Sequence, residues 1–162
     1  MIKKILLILL VLLIVMQFFK PEKNIAANPS GNHISTVYSV PEEVNTILKR
    51  SCYDCHSNNT VYPWYANVQP VAWWLHNHVE EGKEEINFDE FATYRPARQY
   101  RKLKEIHDEI EEGEMPLSSY TIINTNAKLS DNDKKTILDW LASVKTTMES
   151  RYPADSLKLK KK

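Results

Sequence analysis

The chain has 162 residues, and its 21 acidic residues balance its 21 basic residues. This balance excludes the basic excess that is typical of proteins that bind nucleic acid. With only three glycines and many Leu, Ile, Glu and Lys residues, the composition favours helices over sheets. We therefore expect a single all-α domain of about 110 residues.

Residues 1–20 are predicted to be a membrane anchor or an export signal. Lys3 and Lys4 precede an apolar run over residues 5–19, whose length lies between that of a signal core and that of a membrane span. Ile25 is too bulky for the minus-three position of a cleavage site at Ala27, so an uncleaved anchor is favoured. Either segment would place the domain on the periplasmic side of the inner membrane.

Residues 21–40 are predicted to be a linker, because they are rich in Pro, Gly, Asn and Ser and show no apolar periodicity. His33 lies in this segment and is expected to be solvated. The domain proper is predicted to cover residues 41–150. Beyond it, residues 151–162 form a basic tail that is expected to be disordered.

The first helix of the domain is predicted at residues 41–50 and leads into the only two cysteines of the chain. Val44, Ile47 and Leu48 are spaced three and four residues apart and form one apolar face. The sequence CYDCH follows at residues 52–56. This CxxCH pattern is typical of c-type haem attachment.

The chemistry of attachment explains the spacing of Cys52, Cys55 and His56. Each thiol adds to one porphyrin vinyl group, two intervening residues place both sulfurs over one haem edge, and the adjoining imidazole faces the iron. A thioredoxin-type disulfide is one alternative, but that motif lies between a strand and a helix, and here a helix precedes it. Zinc is another alternative, but it would need further ligands, and no second cysteine pair is present.

A second helix is predicted at residues 71–81, with Gly82 as its end. An irregular segment rich in aromatic residues precedes this helix at residues 57–70. His78 is predicted to face the apolar side of the helix. A histidine at such a position is either a buried structural residue or an iron ligand.

A third helix is predicted at residues 97–112, opened by Pro96 and closed by Gly113. Met115 then precedes a proline, which cannot continue a helix, so Met115 is expected on a loop. There it is either a gap-filling core methionine or an iron ligand.

The last helix is predicted at residues 130–150, with Ser130 as its N-cap and Asp133 near the N3 position. Its apolar face is expected to cross the first helix of the domain. The contact would join two sets of side chains: Val44, Ile47 and Leu48 on one side, and Leu138, Leu141 and Val144 on the other.

Residues 41–150 resemble the bacterial haem-binding domain family. The motifs that carry this resemblance are the single CxxCH at residues 52–56, Pro-Trp-Tyr at residues 63–65 and Trp-Trp at residues 73–74. More distantly, the chain is similar to class I cytochromes c, through the CxxCH motif, Met-Pro at residues 115–116 and an acid-capped terminal helix. The expected fold is therefore cytochrome c-like. A departure from that pattern is the long acidic segment over residues 80–114.

The resemblance implies one covalent haem c, bound through thioethers to Cys52 and Cys55, with His56 as the proximal iron ligand. Such an iron needs a sixth ligand, for which Met115 is the first candidate and His78 the rival. A backbone carbonyl is expected to accept a hydrogen bond from the unused ring nitrogen of His56, with Pro63 and Pro70 as candidates. Two arginines could pair with the haem propionates, Arg98 and Arg101.

Three functions fit this arrangement. The favoured one is a monohaem protein that transfers electrons on the periplasmic side of a membrane to redox partners that the sequence does not identify. The second is a peroxidase-like haem enzyme, which would need an open or labile sixth site and a partner haem. The third is a sensor in which a ligand such as CO or NO displaces Met115.

Overall fold

The computed structural model describes residues 1–159. The regular secondary structure of this range consists of helices and contains no strand, which confirms the all-α prediction. Seven α-helices occur in the order α1 (Ile2–Met16), α2 (Glu42–Ser51), α3 (Tyr53–His56), α4 (Val71–Glu85), α5 (Pro96–Glu112), α6 (Ser118–Thr121) and α7 (Asp131–Arg151). Short 3-10 helices connect them at Ile34–Thr36, Trp64–Asn67, Phe88–Thr93, Thr125–Ala127 and Ala154–Leu157. The only β pairing in the described range is an isolated bridge between Ile25 and Asn59.

The termini of α7 and α5 follow from local sequence signals. The Ser130 hydroxyl accepts a hydrogen bond from the backbone N–H of Asp133 at 3.1 Å, and the Asp133 carboxylate accepts one from the backbone N–H of Ser130 at 2.9 Å. This reciprocal capping box satisfies two donors that a helix otherwise leaves unpaired. At the end of α5, Gly113 adopts a left-handed backbone with φ of 81°. The absence of a Cβ makes this conformation accessible.

The core forms where α2 and α5 pack against α7. Val44, Ile47 and Leu48 of α2 belong to the same buried cluster as Leu141 and Val144 of α7. The predicted packing of the first helix of the domain against the last one is therefore confirmed, with Leu138 half-buried at its border. Burial of each large apolar side chain stabilises the fold by roughly 1.5–3 kcal/mol.

The second half of the predicted linker belongs to this core. Ile34 is 0% exposed and Tyr38 is 5% exposed. The Tyr38 hydroxyl donates a hydrogen bond to the buried side chain of Gln99 at 2.8 Å. His33 is half-buried rather than solvated, and its ring packs edge-on against Tyr53 at 5.7 Å. A periodicity test misses such a segment, because two buried side chains on an irregular backbone produce no repeating pattern.

The first half of the predicted basic tail is also ordered. Ala154–Leu157 forms a 3-10 helix against α5, and Leu157 joins the core. One buried apolar side chain, Leu157, is enough to hold this turn against the domain. The high charge of the tail predicts disorder and gives no sign of this contact. Residues 160–162, which carry three of the tail lysines, lie outside the described residues.

Helix α1 has 15 residues. Within the described part of the chain, no helix combines the length and the apolarity that a membrane crossing requires. The membrane-spanning anchor predicted at residues 1–20 is therefore not supported.

Candidate functional site

The CxxCH motif lies on a single helical turn. Helix α2 ends at Ser51, the backbone turns at Cys52, and α3 begins at Tyr53. The N–H groups of Cys55 and His56 both donate hydrogen bonds to the Cys52 carbonyl, at 3.2 and 3.0 Å. This turn places the two thiols and the imidazole close together in space.

Both cysteines are free thiols. Burial raises the pKa of Cys52 to about 12 and that of Cys55 to about 11. The negative charge of Asp54 acts in the same direction at Cys55. Both sulfurs are therefore protonated at neutral pH, which makes spontaneous oxidation to a disulfide slow.

Asp54, between the two cysteines, ties the motif to its surroundings. Its carboxylate accepts hydrogen bonds from the backbone N–H of Val61 at 3.0 Å and from the Tyr120 hydroxyl at 2.7 Å. Its carbonyl accepts a further hydrogen bond from the hydroxyl of Thr60 at 2.6 Å. The second variable position of the motif thus links α3 to the loop that follows it and to α6.

Helix α4 packs directly on the motif at Gly82. A Cβ at this position would lie 2.7 Å from the Cys55 carbonyl oxygen and 3.1 Å from the Cys55 Cβ. Only glycine allows so close an approach of two backbones. The prediction that Gly82 ends the helix is therefore wrong: α4 continues to Glu85, and the glycine serves the contact with α3.

This contact also orients His56. The Nδ1 atom of His56 lies 2.8 Å from the carbonyl oxygen of Gly82 and 3.1 Å from that of Ile86. Because a carbonyl can only accept, Nδ1 carries the proton and Nε2 keeps a free lone pair. The expected carbonyl partners Pro63 and Pro70 are wrong, and the true acceptors lie at the end of α4.

The protonation state of His56 suits metal binding. Burial lowers the pKa of the imidazole, while the hydrogen bonds to Ile86 and Gly82 act in the opposite direction. The ring is therefore neutral at pH 7. A neutral imidazole whose second nitrogen is hydrogen-bonded to the backbone is the usual form of a histidine that ligates a metal.

Two adjoining cavities, of about 580 and 540 Å³, open beside His56. Their shared walls contain Ser51, Cys52, His56, Glu85, Met115 and Pro116. Cys55 and His78 line only the second cavity. The structure thus brings all five candidate residues of the sequence to one continuous space, within the size range of ligand sites.

Met115 is held in this wall by the end of α5. The N–H groups of Gly113, Glu114 and Met115 all donate hydrogen bonds to the carbonyl of Glu109, at 3.1, 3.0 and 3.2 Å. The left-handed Gly113 makes this tight reversal possible. Met115 therefore lies on a loop, as predicted, and its half-buried side chain lines both cavities.

His78 is held differently. Its Nδ1 donates a hydrogen bond to the Trp74 carbonyl at 2.9 Å, and its ring packs on the Trp74 indole with centroids 4.4 Å apart. Its Nε2 atom is available to the second cavity, but the residue is half-exposed rather than on a buried apolar face.

A sequence profile of the haem-binding domain family matches residues 11–143, a range that includes the CxxCH motif and the Met115 loop. The chain belongs to the haem-binding domain family. No curated protein and no solved structure matches it significantly. Membership in this family identifies haem as the ligand.

The cavity walls fit a haem. The first cavity presents an apolar surface for the porphyrin, formed by Ile86, Phe88, Ile106, Ile110 and Leu129. Arg101 and Lys102 are the cations of this wall, which Glu85, Glu105 and Glu109 also line. Propionates would pair with these cations by displacing the carboxylates. Among the described residues, the Ser51 hydroxyl is buried without a hydrogen-bond partner, and it borders both cavities. A polar group of a bound ligand would satisfy it.

Arg98, the other predicted propionate partner, does not line either cavity. Its guanidinium lies over the Tyr94 ring, 4.0 Å from the centroid. This cation–π contact holds the side chain beside Tyr94, outside both cavities. The helical spacing of the two arginines directs them to different neighbours.

Lys102 is the residue that sequence reasoning missed. It is 6% exposed, and its ammonium group lies 2.8 Å from Glu85 and 2.7 Å from Glu105. Glu105 is three residues away on the same helix and could have been proposed from the sequence. The pairing with the last residue of α4 depends on tertiary packing and has no sequence signal.

Proposed function

We propose that the chain binds one haem c covalently. Each thiol of Cys52 and Cys55 would add across one vinyl group, so that the sulfur bonds to one vinyl carbon and the hydrogen to the other. The Nε2 atom of His56 would be the proximal iron ligand. The hydrogen bonds from His56 Nδ1 to two backbone carbonyls carry this proposal, since they leave Nε2 free on a residue that lines the same cavity as both cysteines.

Met115 is the proposed distal ligand. It borders both cavities, whereas the rival His78 borders only the second and is already engaged with Trp74. A thioether ligand favours ferrous iron and raises the reduction potential. With His56 and Met115 both holding the iron, the bound haem would supply one-electron exchange with little change in structure.

The proposed role is therefore electron transfer on the periplasmic side of a bacterial membrane. Two observations support this location. Haem attachment to a CxxCH motif takes place outside the bacterial cytoplasm, and the basic start followed by an apolar run at residues 1–20 resembles an export signal.

The attachment is tested by producing the full chain with cytochrome c maturation machinery. The expected product keeps its haem through denaturing electrophoresis and shows the sharp reduced bands of a low-spin c-type protein. The double variant Cys52→Ala, Cys55→Ala should lose all covalent haem while keeping its helical circular dichroism. Haem that survives denaturation in the double variant would overturn the proposal.

The distal ligand is tested by comparing Met115→Ala with His78→Ala. Loss of Met115 should abolish the weak red-edge sulfur–iron band of the oxidised protein, and loss of His78 should leave it intact. The opposite result would assign the sixth position to His78. A five-coordinate spectrum of the unaltered protein with tight CO binding would instead favour the peroxidase-like or sensor function.

A further inference from the structure

Helix α1 is apolar on every side and is not covered by the rest of the chain. The side chains of residues 5–15 are each 45–61% exposed, and none of them is charged. A helix that is apolar all round is stable only when its whole circumference is removed from water. A groove on a partner protein would cover one face of it and leave the others in water.

A second exposed apolar region lies on the domain itself, which we term the aromatic surface. It consists of Val61, Trp64, Val68, Trp73 and Trp74. Trp64 is 79% exposed, although an indole is among the largest apolar groups in proteins. Three of the four tryptophans of the chain lie on this surface, and the fourth, Trp140, is in the core. A concentration of exposed indoles marks an interaction site.

Gln69 joins the two regions. Its backbone N–H donates to the Gln17 side chain at 2.9 Å, its carbonyl accepts from the same side chain at 3.3 Å, and its own amide donates to the Phe19 carbonyl at 2.6 Å. Its side-chain oxygen accepts from the backbone N–H of Trp73 at 3.3 Å. Because Gln69 is 1% exposed, these hydrogen bonds are partly shielded from water, and they fix the end of α1 beside Trp73.

The chain between α1 and Ala27 is also bound to the domain. Asn24 contacts Tyr62, Ser57, Thr60 and Lys83 through hydrogen bonds of 2.8–3.0 Å. Ala26 donates its backbone N–H to the Asn58 carbonyl at 3.0 Å. Cleavage at Ala27 would remove all of these contacts, so they favour retention of α1 in the mature protein.

We propose that α1 and the aromatic surface together form a single surface that binds a lipid bilayer. A bilayer can surround α1 on all sides, and indoles favour the boundary between acyl chains and headgroups. Lys3 and Lys4 at one end of α1, and Lys20 and Lys23 at the other, are suited to anionic headgroups. This proposal stands independently of covalent haem attachment.

The test uses the full-length holoprotein and vesicles of phosphatidylethanolamine and phosphatidylglycerol that contain a lipid with a diazirine on its acyl chain. After irradiation, mass spectrometry locates the lipid adducts. Adducts are expected both in residues 5–19 and in residues 61–74, and not on the exposed face of α7. Adducts confined to α1, or spread evenly over the domain, would overturn the proposal.

Matched variants sharpen the test. Trp64→Glu with Trp73→Glu should reduce adducts in residues 61–74 several-fold, whereas Trp64→Phe with Trp73→Phe should keep them. Neither residue lines the haem cavities, so the haem spectrum should be the same in both variants. Equal adduct yields in the two variants would contradict the proposal, as would a dimer in which a second copy of the chain covers the tryptophans.

Discussion

The α2–α7 contact and the α3–α4 contact are held together in different ways. Between α2 and α7, large apolar side chains fill a shared buried core. The α3–α4 contact depends on the absence of a side chain at Gly82 and on two backbone carbonyls that accept hydrogen bonds from His56. The first contact distributes its stability over many groups, while the second depends on a few atoms that orient the candidate haem ligand.

The difference implies that damage to the two contacts should be separable. Loss of packing in the core lowers the stability of the whole domain but need not alter the imidazole. A change at the α3–α4 contact acts on the ligand geometry even when the domain remains folded.

The largest loss of stability is expected from Leu141→Ala. Leu141 is 0% exposed in the core, so its truncation should lower the free energy of unfolding by about 2–5 kcal/mol. Chemical denaturation measures this loss. Leu159→Ala, at a position 49% exposed, is the control and should change the free energy by less than about 0.5 kcal/mol. A shift of the haem spectrum in folded Leu141→Ala protein would contradict the separation of the two contacts.

A smaller loss of stability but a larger effect on the site is expected from Gly82→Ala. The new methyl group would overlap the Cys55 carbonyl, which should cost about 1–3 kcal/mol and push α4 away from His56. The yield of covalent haem and the spectrum of the product report this displacement. Gly31→Ala is the control, because nothing lies within 4 Å of its added Cβ. Wild-type yield and spectrum in Gly82→Ala would show that the close approach does not matter for the ligand.

Removal of the N-cap of α7 tests the stability of the α2–α7 core through a local change in one of its helices. Ser130→Ala loses the hydrogen bond to the backbone N–H of Asp133 and should reduce the free energy of unfolding by about 0.5–2 kcal/mol. Thermal unfolding measures it. Ser150→Ala near the end of the same helix should have a smaller effect, since its hydroxyl only bonds back to the helix at Thr147. Equal effects of the two substitutions would rule out a specific role for the cap.

The smallest effect on stability is expected from Lys102→Met. The two carboxylates that the ammonium group pairs with are 76% and 42% exposed, so they remain hydrated after its removal, and the free energy of unfolding should change by less than about 1 kcal/mol. The reduction potential should fall, because a positive charge leaves the cavity wall. Lys104→Met, on the solvent side of α5, should leave the potential unchanged. A reduction potential that is unchanged in Lys102→Met would show that the charge of Lys102 does not act on the haem iron.

The parts of this structure that the sequence could predict are those with local causes. The cap of α7 depends on residues three positions apart, and the end of α5 depends on the backbone freedom of Gly113. The CxxCH motif predicts its own geometry, because one turn brings its three side chains together. The loop position of Met115 follows in the same way from the proline after it.

The parts that could not be predicted depend on where one element meets another. The sequence predicts a helix end at Gly82. The glycine is instead needed because a side chain there would prevent the close approach of α3, and the sequence does not show that contact. The groups that accept hydrogen bonds from His56 are backbone carbonyls. Every residue carries one, so no sequence pattern distinguishes the two that are used. Ile34 and Leu157 are isolated apolar residues in polar segments, and Gln69 is a polar residue in an aromatic segment. Only the folded chain shows that all three are buried.

The position of the two carbonyls that accept from His56 has an electrostatic consequence. The Gly82 carbonyl belongs to the last turn of α4, and Ile86 directly follows that helix. At such a helix end the aligned peptide dipoles leave a partial negative charge of about half an electron. Any positive charge that the imidazole shares, from a proton or from a metal at its other nitrogen, is stabilised there. The end of α4 thus acts on His56 as a weak negative charge. Unwinding its last turn would remove this charge without replacing any proposed ligand of the haem iron.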